Sequence, residues 1–217
     1  MSEPAASCPL CGSPLYGWLT LPDPAAGATV GLPVDLSDPR DAAGVRILDR
    51  CESCGAGVER SQEAVDLETE ARGLTVTLED GSEVLVAPNR ASWQATIGGE
   101  GWAAIDLRAG RLLLSPGSMR LLGERTGRQL NEVRCTRFGR NQAWMWQTLL
   151  NGLTFHPNFA REVRAGRLRS GGGRGRLAFA VDCVVTALAA PLVLLASVPL
   201  ELLAALTGRG GELVGRR

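Results

Sequence analysis

Lysine is absent from this chain, and all 23 of its basic residues are arginine. A uniform choice of that kind reads as GC-rich codon usage first and as chemistry second. Histidine is nearly absent too. His156 stands alone in Thr-Phe-His-Pro-Asn-Phe, and no Ser/His/Asp or Cys/His arrangement for nucleophilic catalysis is visible around it. A lone histidine between aromatics is read as structural. No apolar run opens the chain: Met1–Ser7 is polar, carries an acid and is followed by Cys8, which is not the form of a signal peptide. A cytoplasmic start is expected, where paired cysteines are more often metal ligands than disulfides. No internal repeat is found. Net charge is zero, but the zero hides a dipole. Through Leu107 there are 17 acids and 6 arginines (−11), and from Arg108 onward 6 acids and 17 arginines (+11). Such asymmetry points one end of the chain at an anionic surface. With 45% hydrophobic residues the chain is not disordered as a whole, and 217 residues suffice for a small module, a modest core and a tail.

Four of the six cysteines fall into two CxxCG knuckles, Cys8-Pro-Leu-Cys11-Gly and Cys51-Glu-Ser-Cys54-Gly. A CxxC turn lets two sulfurs approach one ion, and zinc prefers a tetrahedral set of thiolates. The glycine after each second cysteine permits the tight backbone of a knuckle. Cys8, Cys11, Cys51 and Cys54 are therefore assigned as ligands of one Zn2+, in a closed and hence structural shell. The 39 residues between the knuckles are Pro-, Gly- and Asp-rich with little periodicity, and are expected as a surface insertion. Cys135 and Cys183 lie among apolar neighbours and are expected as buried, inert thiols.

Local patterns predict further elements. Residues 61–72 form an acidic helix. The alternation in Leu74–Leu78, the Asp80-Gly81 turn and Glu83–Ala87 predict a β-hairpin. Ser115-Pro116 reads as an N-cap with proline in the first turn, and Gly127 closes that helix. Arg128–Phe138 is a strand, and Asn141 caps a helix running to Asn151.

The order Glu83–Ser92, Gly101-Trp102, Leu107, Leu112–Met119 and Leu121–Gly127 resembles the C-terminal part of class I S-adenosylmethionine-dependent methyltransferases, in the subgroup headed by a cysteine zinc ribbon. Leu206–Val214 resembles the ending of that family. The resemblance implies a strand ending in Pro-Asn and a Ser-Pro helix, with Asn89 and Ser92 nearest any chemistry. The family's cofactor lies against a glycine-rich loop inside a βαβ unit of about 30 residues. Only 28 residues separate Cys54 from Glu83, and Gly55-Ala-Gly57 follows no apolar strand. A complete cofactor half does not fit, so no catalytic or cofactor-binding residue is assigned.

Between Asp182 and Glu201 lie 18 uncharged residues, within an apolar run from Leu177 to Leu206. Eighteen is the lower end of what crosses a bilayer, and the wider run allows a tilted span, a re-entrant hairpin broken at Pro191, or a buried helical pair. Arg161, Arg164, Arg167, Arg169, Arg174 and Arg176 precede the run, which would keep the N-terminal bulk cytoplasmic. With Trp144, Trp146 and Phe155 as stacking platforms these arginines could meet nucleic acid, but their place beside an apolar run favours an anionic leaflet. Asp182 and Glu201 are expected at the two interfaces, and Trp144, Trp146, Phe155 and Phe159 at the headgroups.

These readings predict an α+β chain: an N-terminal four-cysteine zinc ribbon (1–60), a small truncated methyltransferase-like α/β portion (61–160), an Arg/Gly linker (161–176) and a C-terminal apolar helical segment (177–217). The expected function is a zinc-binding, membrane-associated accessory or binding module without catalysis, at the cytoplasmic face of a membrane and open to a protein partner. The alternative is an S-adenosylmethionine-dependent methyltransferase completed by a partner chain or a homodimer, in the cytoplasm.

Overall fold

In the computed structural model of the protein the described residues are 5–22, 45–61, 63–105, 110–135, 140–166, 168 and 174–216. Most of the insertion between the knuckles lies outside them, as do 136–138 of the expected strand and 167 and 169–173 of the expected linker. The fold is α+β with two antiparallel sheets, a cysteine cluster and one long apolar C-terminal helix.

The first sheet contains β1 (Ala5–Ser7), β2 (Pro14–Pro22), β3 (Val45–Cys51), β4 (Gly57–Glu59) and β7 (Leu112–Leu113), in that spatial order. Strands β2 and β3 pair from Leu15↔Cys51 out to Pro22↔Val45, so the ends of the insertion continue the knuckles as a long hairpin. A register shift between Gly17 and Leu19 rotates the strand, and Leu15 and Leu21 are both buried.

The second sheet has the order β5 (Thr75–Thr77), β6 (Glu83–Pro88), β9 (Glu212–Arg216), β8 (Glu132–Cys135). The β5–β6 hairpin turns at Asp80-Gly81 as expected: Gly81 takes φ +80°, and Asp80 Oδ1 accepts from the Ser82 amide. The last strand enters between β6 and β8, where Leu213 is fully buried. The C-terminal segment is thus part of the sheet.

Helix α1 (Leu67–Leu74) is capped by Asp66, α2 (Trp93–Gly98) by Ser92, and α3 (Pro116–Arg125) by a Ser115/Ser118 capping box. Helix α4 (Arg140–Asn151) is followed by the short α5 (Phe159–Arg164) and then by α6 (Arg174–Leu206). Helix α6 is unbroken, with Pro191 and Pro199 both inside it, so the apolar run is neither a hairpin nor a pair of helices.

One core joins the knuckles to the middle of the chain. Cys8, Leu10, Cys51 and Val58 pack in the same cluster as Leu85, Met119, Leu122 and Leu213. A smaller cluster of Leu21, Leu48, Ala95 and Trp102 takes Trp144 of α4 against its edge.

Candidate functional site

The two knuckles have the same backbone design. Gly12 N–H donates to the Cys8 carbonyl (2.8 Å), and Gly55 N–H donates to the Cys51 carbonyl (3.0 Å). Both glycines take left-handed φ, +76° and +75°, which a side chain would strain. Each turn therefore presents two sulfurs on one side, and the sheet sets the turns face to face. Cys8 Sγ lies 3.6 Å from Cys54 Sγ, and Cys11 Sγ lies 3.4 Å from Cys51 Sγ. All four sulfurs lie within 4.8 Å of one another. A tetrahedral ion with metal–sulfur bonds of about 2.3 Å needs sulfurs about 3.8 Å apart. The group is able to hold a metal ion, with Cys8 and Cys51 buried and Cys11 and Cys54 at its outer edge.

Neighbouring segments hold the knuckles in place. Arg125 Nε donates to the Leu10 carbonyl (3.2 Å) and Arg90 Nη1 to the Gly55 carbonyl (2.8 Å). Ser115 Oγ donates to the Cys54 carbonyl (2.9 Å). The Arg90 guanidinium lies 4.3 Å over the Trp18 ring, and its charge acts on the Cys51 and Cys54 thiols. A divalent ion in four thiolates would carry two net negative charges, which the half-buried Arg90 guanidinium beside it would offset. Burial pushes the Cys8 and Cys54 thiols above the ordinary cysteine value. At Cys11 burial is outweighed by hydrogen bonds from Ser13 and Cys51, and the thiol falls to about 6.

Helix α6 carries the second feature. A surface helix ordinarily turns its apolar stripe inward and its polar face to water. Here the polar residues face inward: Asp182, Ser197 and Glu201 are each fully buried. Outward stand Leu177, Val181, Val184, Leu188, Leu192, Leu195, Leu202 and Leu206, with Leu188 and Leu195 each 72% exposed. Only 6% of its most apolar stretch is buried, so the helix is not a core helix of the body. Asp182 accepts from the Phe155 amide (2.8 Å), the His156 amide (3.0 Å) and, at 2.6 Å, contacts His156 Nδ1. Gln94 Nε2 donates to Glu201 Oε2 (2.9 Å) and Gln142 Nε2 to Ser197 Oγ (3.2 Å). The two acids are thus attachments to the body, not markers of two interfaces.

The other residues singled out in the sequence have local jobs. Asn89, 1% exposed, donates to the Gly210 carbonyl and fixes the return of β9, while Ser92, 0% exposed, caps α2. His156 is half-buried between Asp182 and the Phe159 ring. Cys135 is half-buried and donates to the Gly208 carbonyl, whereas Cys183 is exposed, contrary to the expectation of a buried thiol. Of the aromatics expected at a headgroup layer, Phe155 is 46% exposed, Phe159 is buried, Trp144 packs on the smaller core and Trp146 donates to the Ala190 carbonyl. Arg90, Trp18 and Gln94 escaped the sequence reading because each acts over more than 30 residues of chain. The strongest available signal was the pair of acids interrupting the apolar run. No protein family, curated protein or solved structure matches the chain.

Proposed function

We propose that the chain is a zinc-stabilised, non-catalytic binding module that attaches to a membrane through the outward face of α6. The observation that carries this reading is the inversion of that helix. Eleven large apolar side chains of α6 are exposed. At about −0.3 to −0.6 kcal/mol each on insertion scales, they favour a hydrocarbon environment by about 3 to 7 kcal/mol. A continuous apolar patch of this length is uncommon on a monomeric soluble protein. Arg161, Arg164 and Arg176 precede it in the chain and Arg209 follows it, an arrangement that suits anionic headgroups. Zinc is the ion that best suits four thiolates without an open position.

The test is flotation of the full chain with anionic vesicles. Removing the tail is a poor control, because it takes away the central strand β9. The double substitution Leu188→Glu/Leu195→Glu keeps the fold and is expected to abolish flotation. A wild-type chain that stays in solution at every lipid concentration refutes the membrane reading. Metal analysis should return about one zinc per chain. The second reading, a methyltransferase completed by another chain, is favoured by the ordered motifs of 83–127. Calorimetric titration with S-adenosylmethionine decides between them, and no heat of binding is expected.

A further inference from the structure

Helix α6 is tied to the body at both ends and along its length. Near its start Asp182 binds the Phe155 and His156 amides; in the middle Trp146 Nε1 donates to the Ala190 carbonyl at 3.0 Å; near its end Ser197 meets Gln142 and Glu201 meets Gln94. As the α4 number rises the α6 number falls, so α4 runs antiparallel beneath α6. The opposite face of α4 belongs to the body. Thr148 Oγ1 accepts from the Ala103 amide (3.0 Å), and Asn151 Nδ2 donates to the Gly101 carbonyl (2.7 Å). A Cβ on Gly98 would stand only 2.5 Å from Thr148 Cγ2, so this contact is already closed. Beyond the end of α6, Arg209 Nε donates to the Ala91 carbonyl and β9 enters the sheet.

We infer that α6 lies in the plane of one leaflet of an anionic bilayer, its outward stripe at the edge of the hydrocarbon and both its ends on the same side, and does not cross the membrane. The inference rests on the membrane reading above and refines it. An in-plane helix needs an apolar face toward lipid and a polar face away from it. Here the polar face is covered by α4, so the body itself supplies the water-facing half. Crossing would drag α4, with buried Asn141, Gln147, Thr148 and Asn151, into hydrocarbon together with the surface it packs on. Further exposed apolar side chains lie in segments bonded to both ends of the helix. Phe155 (46% exposed) adjoins Asp182, and Ile97 (48% exposed) follows Thr96, which meets Arg209. Apart from the weakly hydrogen-bonding Cys183 thiol, the outward stripe has no polar side chain to specify a protein partner, whereas protein interfaces carry about one hydrogen bond per 100–200 Å². Arginines at both ends suit one anionic leaflet.

The experiment adds full-length, zinc-loaded protein to preformed phosphatidylglycerol-containing vesicles, in a Cys135→Ala/Cys183→Ala background. Arg176→Cys, Leu188→Cys, Leu195→Cys and Thr207→Cys are labelled with a membrane-impermeant maleimide from outside. Bound protein should react at positions 176 and 207 alike, while 188 and 195 slow at least tenfold on binding. Labelling of one end only after the vesicles are lysed, with flotation intact, refutes the in-plane placement and leaves membrane attachment standing. Failure to float, with a dimer by light scattering that Leu188→Glu dissociates, refutes both and assigns the stripe to a second copy of the chain. Equal flotation on purely zwitterionic vesicles refutes the anionic component.

Discussion

Removing the metal should unfold more of this protein than the segment that binds it. Consider Cys51→Ser, or chelation of the wild type. Structural zinc contributes an apparent 10–16 kcal/mol in small modules near neutral pH, comparable to or larger than the roughly 5–15 kcal/mol by which a whole domain is stable. The knuckles also receive three hydrogen bonds from elsewhere, through Arg90, Arg125 and Ser115. At about 0.5–1.5 kcal/mol each, they couple about 3 kcal/mol of the remaining fold to the metal site. Cys8, Leu10 and Cys51 share a cluster with Leu85, Met119 and Leu213, so opening the knuckles exposes the face on which β6 and β9 rest. The assay is hydrogen exchange by mass spectrometry with and without chelator, comparing peptides from β3 and from β9. Protection should be lost in both, at the same chelator concentration. If β9 and β6 keep their protection while β2 and β3 lose theirs, the metal module folds by itself and the single cooperative core is refuted.

Zinc uptake should release protons. With Cys8 and Cys54 held above the ordinary thiol value, both are protonated at pH 7, and calorimetry in buffers of different ionisation enthalpy should count at least those two protons per zinc. Affinity should fall as pH is lowered, and a pH-independent affinity would contradict this. Arg90→Gln should weaken zinc binding by about ten- to a hundredfold in a competition with a chromophoric chelator, while leaving the fold intact by circular dichroism. Asp182→Ala leaves two backbone amides without their acceptor and should cost about 2–4 kcal/mol in urea unfolding. Asp182→Asn, with one acceptor oxygen for two amides that now use both carboxylate oxygens, should also destabilise, and an unchanged stability in both variants would mean that the bonds do not matter. Glu201→Gln should raise Tm, because burial disfavours the Glu201 carboxylate, and an amide keeps an acceptor for Gln94 Nε2 without burying a charge. A fall in Tm would indicate that the carboxylate has a partner of another kind.

Short-range chemistry carried the sequence reading a long way. The CxxCG spacing alone determined the knuckles, since a left-handed glycine after the second cysteine is a local requirement, and Gly12 and Gly55 meet it. Asp80-Gly81 determined the hairpin and Ser115-Pro116 the start of α3, because turns and caps are decided within four residues. Tertiary structure decided everything that joins distant parts. Strands β2 and β3 lie in a Pro/Gly-rich stretch without period-two alternation, and their pairing comes from the sheet that the cysteines close. The resemblance of Leu206–Val214 implied a short closing strand, but strand β9 owes its central place to β6 and β8, which are separated from it by more than 70 residues. The composition of 177–206 gave an apolar run long enough for lipid and left one helix, a hairpin or a helical pair open; the structure makes it one helix, and composition has no direction. Which side of α6 faces out was decided by Asp182 and Glu201. A buried carboxylate must find donors, and these are supplied only where the 155–156 amides and Gln94 wait on the body.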